Sequence, residues 1–303
     1  MAPDLAPTAG ELIEILPVSL LTSEAGVVGE LRRLSRRTNI GLGWHYLLDL
    51  AWVLKHSRAR PGMRILDAGA GLGLLQWYLS ERGCEVLSVD RMPRDAMAVR
   101  LRARYNVRGH RREDLLGIGK ALWRETVRPS SVRHRIREPL RIVEGLSQRI
   151  VHPAPGSVAI LNQDLGDLSV LPDASVDEIV SVSSLEHNAP SDLERVVPEL
   201  LRVLRPGGRL VATVSAAREA DWFHEPSQGW CYTDASLRRI FRLSPGVPSN
   251  YDEYDLRFAE IRECAYLRDN LGRAYFNSGQ NGMPWGRWDP QYQPVGVVKV
   301  KPG

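Results

Sequence analysis

Long apolar runs, paired cysteines and a leader-like opening are all missing from this 303-residue chain. The three cysteines, Cys84, Cys231 and Cys264, are odd in number and far apart, which fits neither a disulfide framework nor a zinc site. They read as buried thiols. The longest apolar stretch, near 41–54, is short and carries His45 and Asp49, which excludes a membrane span there. The opening M-A-P-D-L-A-P has no basic region followed by an apolar core, so no secretory leader is expected and the cytoplasm is the expected compartment. No internal repeat is present. What remains, 43% hydrophobic and 25% charged, is ordinary globular composition, with length enough for one large core or two modest ones.

Charge is distributed unevenly. The net value of +4 conceals a stretch, 91–152, with 16 Lys plus Arg against 6 Asp plus Glu, an excess of +10; the rest has 24 against 30, or −6. A local basic excess can attract an anionic substrate, a membrane surface or nucleic acid. It serves equally well as a solvated helical face.

Residues up to about Arg60 read as helices, with Leu47, Leu48, Ala51 and Leu54 at helical spacing. Pro61-Gly62 breaks that pattern before a first strand around Ile65. Apolar strands follow at 85–89, 158–161, 178–184 and 209–215, with two more expected at 258–261 and 295–300. Alternating strands and helices predict an α/β fold: a Rossmann-like doubly wound sheet, mostly parallel, with an antiparallel last strand. The expected domains are an N-terminal helical cap over 1–60 and a main domain over 61–303. Ser191-Asp192-Leu193-Glu194 reads as a capping box, Pro198 predicts a kink or restart, and Arg205-Pro206-Gly207-Gly208 turns that helix into the next strand.

The spacing from Asp90 to Val158 is far more than one crossover helix needs, since each side usually takes about 2–6 residues. An insertion over 107–155, with helical patches at 115–127 and 140–150, accounts for it and coincides with the basic excess. A role towards substrate or partner is expected for it.

The most informative run is I-L-D-A-G-A-G-L-G at 65–73, followed by C-E-V-L-S-V-D ending at Asp90. An apolar strand entering a glycine turn and then a helix is the start of a nucleotide-type site, and Asp90 closes the neighbouring strand where a carboxylate can accept both hydroxyls of a ribose. Asp67 decides between ligands. A pyrophosphate laid over this turn would be repelled by a carboxylate, whereas a ligand with an ammonium group and a sulfonium would be attracted. The glycines Gly69, Gly71 and Gly73 are spaced G-x-G-x-G, with Leu74 where a dinucleotide fingerprint needs its third glycine.

At these residues the chain resembles the class I S-adenosylmethionine-dependent methyltransferases. The resemblance extends through L-P-D-A-S-V-D at 171–177, S-L-E-H at 184–187 and R-V-L-R-P-G-G at 202–208, covering roughly half the chain. It implies S-adenosyl-L-methionine as cofactor. Asp67, Gly69, Ala70, Gly71 and Gly73 would hold its methionine portion, Asp90 its ribose with Arg91 alongside, and Asp164 its adenine amino group with Leu165 supplying backbone. Ser183 lies at the carboxyl edge of the fourth strand. Asp164 can alternatively be read as a helix cap.

Methyl transfer from a sulfonium needs alignment, exclusion of water and, for a hydroxyl acceptor, removal of a proton. His187, after the fourth strand, is the first candidate base, and His224, in D-W-F-H-E-P with Glu225 beside it, is the second. Each can instead be structural. Trp222, Phe223, Trp230 and Tyr232 form the expected acceptor wall, with Trp222, Trp230 and Tyr232 as its contact residues; Trp44, Tyr46, Trp285 and Trp288 are further peripheral aromatics, while Trp52 and Trp77 read as core.

The fourth strand ends S-V-S-S-L-E-H-N rather than in the Asp/Asn-Pro-Pro-aromatic motif of base-amino methylation. Neither a paired-glutamate loop nor an acidic metal set is found. The expectation is a metal-independent enzyme methylating an oxygen of a small molecule, sugar or lipid-linked glycan, and the basic stretch allows an anionic acceptor. Two alternatives stay open: an RNA-binding or RNA-directed methyltransferase using the Arg-rich insertion, for which steep salt dependence is expected, and an NAD-dependent oxidoreductase, disfavoured by Asp67 and the glycine spacing.

Overall fold

The computed structural model describes residues 10–126, 132–151, 153–270 and 287–303; the first nine residues and Trp285 lie outside them. The chain divides into two compact units, Met1–Arg58 with Gly166–Gly303, and Ala59–Leu165.

Among the described residues the first element of this unit is not a helix, as expected for 1–60, but strand β1 (Leu12–Ile15). Its burial alternates, Ile13 and Ile15 inward, and a period of two is what a half-covered strand requires. Helices α1 (Leu20–Ser23), α2 (Ala25–Thr38) and α3 (Tyr46–His56) follow. Helix α2 ends at Asn39 in the left-handed conformation, φ 51°, which a short polar side chain tolerates. Helix α3 is buried along most of its length.

The second unit runs β2 (Arg64–Ala68), α4 (Leu75–Glu81), β3 (Glu85–Asp90), α5 (Val99–Arg104), β4 (Val107–Gly109), α6 (Ile118–Thr126), α7 (Val132–Val151) and β5 (Ser157–Asn162). Its ladder is parallel in the order β2-β3-β5-β4. Ile65, Leu66, Val86, Leu87, Val89, Val158, Ile160 and Leu161 are all buried, as strands covered on both faces must be. The long connection after Asp90 runs through α5 to an edge strand, Val107 opposite Val158, and then through α6 and α7.

The chain returns to the first unit with β6 (Val176–Val182), α8 (Pro190–Val203), β7 (Leu204–Ala216), β8 (Trp222–His224), β9 (Gly229–Tyr232), α9 (Asp234–Ile240), α10 (Tyr254–Glu263), α11 (Ala265–Asn270) and β10 (Gln293–Val300). Strands β6 and β9 pair parallel with β7, and β10 pairs antiparallel between β7 and β1. Trp52 lies against Gly296 of β10, where a Cβ would come within 2.4 Å of the indole. Trp52 and Trp77 are core, as expected. The ladders are those of a Rossmann-like α/β fold, mostly parallel with an antiparallel last strand.

Four local expectations are corrected. Residues 258–261 are helical within α10, where Tyr254 and Ile261, two turns apart, are the buried pair. Ser191 caps nothing: Pro190 occupies the first turn of α8 after Ala189, because proline's fixed φ suits that position. Helix α8 also runs through Pro198 without restarting. Arg205 to Gly208 lie within the first residues of β7 rather than in a turn before it, at an irregularity in its pairing with β6, with Gly207 at φ 73° and no room for a Cβ on Gly208 against Leu204 and Asp177.

Candidate functional site

The turn after β2 owes its shape to glycine. Gly69 and Gly71 adopt φ 71° and 48°, a region that side-chain-bearing residues avoid. Gly69 and Ala70 donate their amides to Val89 O at 2.8 and 3.0 Å, and Gly73 donates to Ala70 O at 2.8 Å. A Cβ on Gly73 would lie 2.9 Å from Ala70 O. Asp90 accepts the Gly71 amide on Oδ2 and the Met92 amide on Oδ1, both at 2.7 Å. Its carboxylate is thus oriented by backbone at the end of β3.

Beneath the turn lies Asp67, buried, its carboxyl pushed up to about 7 chiefly by burial; the Arg94 guanidinium opposes that rise and Asp90 adds to it. Arg94 is only 2% exposed. Its Nη2 donates to Ser88 O at 2.7 Å and Leu161 O at 3.1 Å, and its Nη1 to Ser88 Oγ and, at 3.4 Å, to Gly71 O. One cation therefore joins the ends of β3 and β5 to the glycine turn, facing Asp90, Asp67 and Asp114. Sequence reasoning missed it. The only signal was a second arginine four residues beyond Asp90.

The end of β5 is held from the long connection. Asn162 donates its backbone amide to Asp114 Oδ1 at 2.9 Å and its side-chain amide to Asp114 O at 3.0 Å, while Arg111 reaches Asp114, Gln163 and Asn162 O. Gln163 donates to Asp90 O at 2.9 Å. Asp164 is exposed with no helix starting there, so the cap reading has no helix to serve; Leu165 is buried and Arg91 exposed. The structure thus brings Asp67, Gly69, Ala70, Gly71, Gly73 and Asp90 together in one turn.

In the first unit, Ser183 closes β6 at φ 45°, its amide on Thr213 O at 3.1 Å and its hydroxyl on Glu186. Glu186 is buried with Oε2 lacking a partner, and burial raises its carboxyl above the usual range. The two histidines differ in tautomer. His187 is exposed, and its Nδ1 lies 2.9 Å from Gln228 O; a carbonyl only accepts, so Nδ1 carries the hydrogen and Nε2 keeps its lone pair. His224 is buried, and its Nδ1 accepts from the Ser227 amide at 3.2 Å, which leaves the hydrogen on Nε2. Burial lowers the His224 imidazole.

Trp222 and Phe223 are exposed, and Phe223 packs on Trp230 at 5.5 Å between ring centroids. Tyr232 is not part of such a wall: it is wholly buried, its hydroxyl donating to Asn188 O at 2.9 Å, because it belongs to the core beneath β9. A buried group that the sequence left unmarked is His45, whose Nδ1 meets Asp49 and whose Nε2 lies 3.3 Å from the Tyr292 hydroxyl. Trp44 stacks edge-on to Trp288 beside it at 5.8 Å. Among the described residues no group of three or more His, Cys, Asp or Glu is arranged to hold a metal, and no helix is long and apolar enough to cross a membrane.

The fold is Rossmann-like, its first glycine turn is flanked by strand-end carboxylates, and residues 141–212 match the family model described as a methyltransferase domain. Among solved structures the chain is similar to a Haemonchus contortus phosphoethanolamine N-methyltransferase 2 in complex with S-adenosyl-L-methionine, at 15% identity over 94% of this chain and 60% of that one, TM-score 0.46. It is similar also to a Burkholderia thailandensis 1,6-didemethyltoxoflavin-N1-methyltransferase with bound 1,6-didemethyltoxoflavin and S-adenosylhomocysteine, at 16% identity over 100% and 93%, TM-score 0.44. A third is the [4+2]-cyclase SpnF, at 18% identity over 96% and 98%, TM-score 0.45. No curated protein matches the chain.

Proposed function

We propose that this chain is a class I S-adenosyl-L-methionine-dependent methyltransferase that methylates an oxygen of a small molecule, sugar or lipid-linked glycan in the cytoplasm, without a metal. The cofactor is S-adenosyl-L-methionine, which supplies an electrophilic methyl group when bound. The residues fit it: a turn with Gly71 at a left-handed φ and no room for a Cβ on Gly73, acids rather than a phosphate cradle around it, and a backbone-oriented Asp90. Asp67 faces the ammonium group directly or through water, Asp90 the ribose, and Asp164 with Leu165 the adenine. Residues 61–303 form the methyltransferase domain and 1–60 its N-terminal cap, with the basic connection 107–155 as an accessory element.

The observation that carries the oxygen assignment is the His187 tautomer, whose free Nε2 is able to take the proton a hydroxyl loses on methylation. Trp222 and Trp230 supply flat surface for the acceptor. Calorimetric titration should show saturable S-adenosylhomocysteine binding and none of NAD; the reverse overturns the cofactor assignment. Transfer of a tritiated methyl group to fractionated extract should label an oxygen, and label found on nitrogen or carbon instead overturns the acceptor assignment alone.

A further inference from the structure

Helix α7 is packed with its polar face inward. Towards α5 it presents Glu138, buried and within 3.9 Å of Arg100, then Gly145, where a Cβ would lie 2.7 Å from Arg100 O, then Gln148, which accepts from Arg104 at 2.8 Å. Its apolar residues face away: Leu140 is 66% exposed and Ile150 83%, with Val143, Leu146 and Val151 exposed between and beside them. At 100° per residue these five fall within an arc of about 140°, opposite the Glu138-Gly145-Gln148 face. Helix α6 packs against α7 and adds Trp123, 57% exposed, and Ile118. Amphipathic helices of globular proteins do the opposite, and contiguous exposed apolar surface of this kind marks an interaction site.

Charge identifies the occupant. The same stretch, 91–152, carries the +10 excess, and Lys120, Arg124, Arg137 and Arg149 of the two helices are exposed. A second copy would bring two such excesses face to face. An anionic lipid surface supplies the opposite charge together with an apolar layer for the stripe and an interface suited to an indole.

We propose that helices α6 and α7 form a peripheral docking face for an anionic membrane surface, lying along it with the apolar stripe of α7 in the acyl boundary and the basic side chains among the headgroups. The face is independent of the methyl-transfer reading, since it shares no residue with the glycine turn.

The test is co-sedimentation of the full chain with vesicles of phosphatidylcholine, alone or mixed with phosphatidylglycerol. Binding is expected to the mixed vesicles only, to weaken with salt, and to fall at least about tenfold in Leu140→Ser/Ile150→Ser. An environment-sensitive fluorophore on Val143→Cys should shift to the blue with the mixed vesicles, a readout that does not depend on the double variant folding. Absence of binding and of the shift overturns the proposal. So does binding that the double variant leaves unchanged. A self-association dissolved by the double variant, with no vesicle binding, assigns the face to a second copy and also overturns it.

Discussion

The Gly71 amide donates to Oδ2 of Asp90 at 2.7 Å, tying the glycine turn after β2 to the end of β3. The carboxylate proposed to meet a ribose is therefore already oriented. Asp90→Ala removes both the orientation of the turn and the ribose acceptor, and should raise the S-adenosylhomocysteine dissociation constant by about tenfold or more, as expected for a hydrogen bond to a charged group. Asp90→Asn has one oxygen for two amides, Gly71 and Met92, and should weaken binding as well. Calorimetry on both variants checks this; unchanged affinity would contradict the assignment.

Burial raises the Asp67 carboxyl to about 7 against an ordinary 3.8. Its folded value exceeds the unfolded one, so the folded chain holds a proton that the unfolded chain has released. That contribution to stability is complete below pH 3.8 and is lost as pH rises through 7. A ligand ammonium favours the ionised form, so cofactor affinity should move the other way, rising through the same window. Asp67→Asn should flatten both profiles, read by denaturant melts and by titrations from acid to mildly alkaline pH; a wild-type binding profile already flat would remove Asp67 from the ammonium site.

Arg94 is the buried counter-ion of Asp67, Asp90 and Asp114. Arg94→Met leaves those carboxylates without a nearby cation and removes its bonds to the Ser88 and Leu161 carbonyls, so it should cost about 3–5 kcal/mol of stability, the size expected for buried charges left uncompensated. Urea denaturation measures it. A loss within about 0.5 kcal/mol, the range of ordinary surface changes, would show that the guanidinium is dispensable.

The two histidines should separate kinetically. His187→Ala should lower kcat about a hundredfold with S-adenosylhomocysteine affinity unchanged, the usual size of a lost general base. His224→Ala should cost less, because its lone pair is already used by the Ser227 amide. A slower His224 variant would exchange the two roles.

The turn was legible because its chemistry is local: a left-handed φ of 71° and 48° favours glycine, and Asp67 and Asp90 stand at fixed offsets from it. The parallel strands β2, β3, β5, β6 and β7 were legible from their apolar runs, whereas β4 and β9, three and four residues long, carried no such run. Residues 258–261 misled because a short apolar run looks alike in strand and helix, and the pair that decides, Tyr254 and Ile261, lies two turns apart. Tyr232 misled because a polar-tipped ring can line a site or fill a core, and only its bond to Asn188 tells which.

By itself, then, the sequence determined the glycine turn, its acids and the order of strands that carry them, since backbone conformation and periodic burial are written in neighbouring residues. Only the tertiary structure decided that Arg94 is buried beneath that turn, that His187 rather than His224 keeps a free Nε2, and that α7 turns its polar side inward. Each depends on where distant segments converge, such as Gln228 on His187 or Leu161 on Arg94, and no local pattern encodes which partner a side chain will meet.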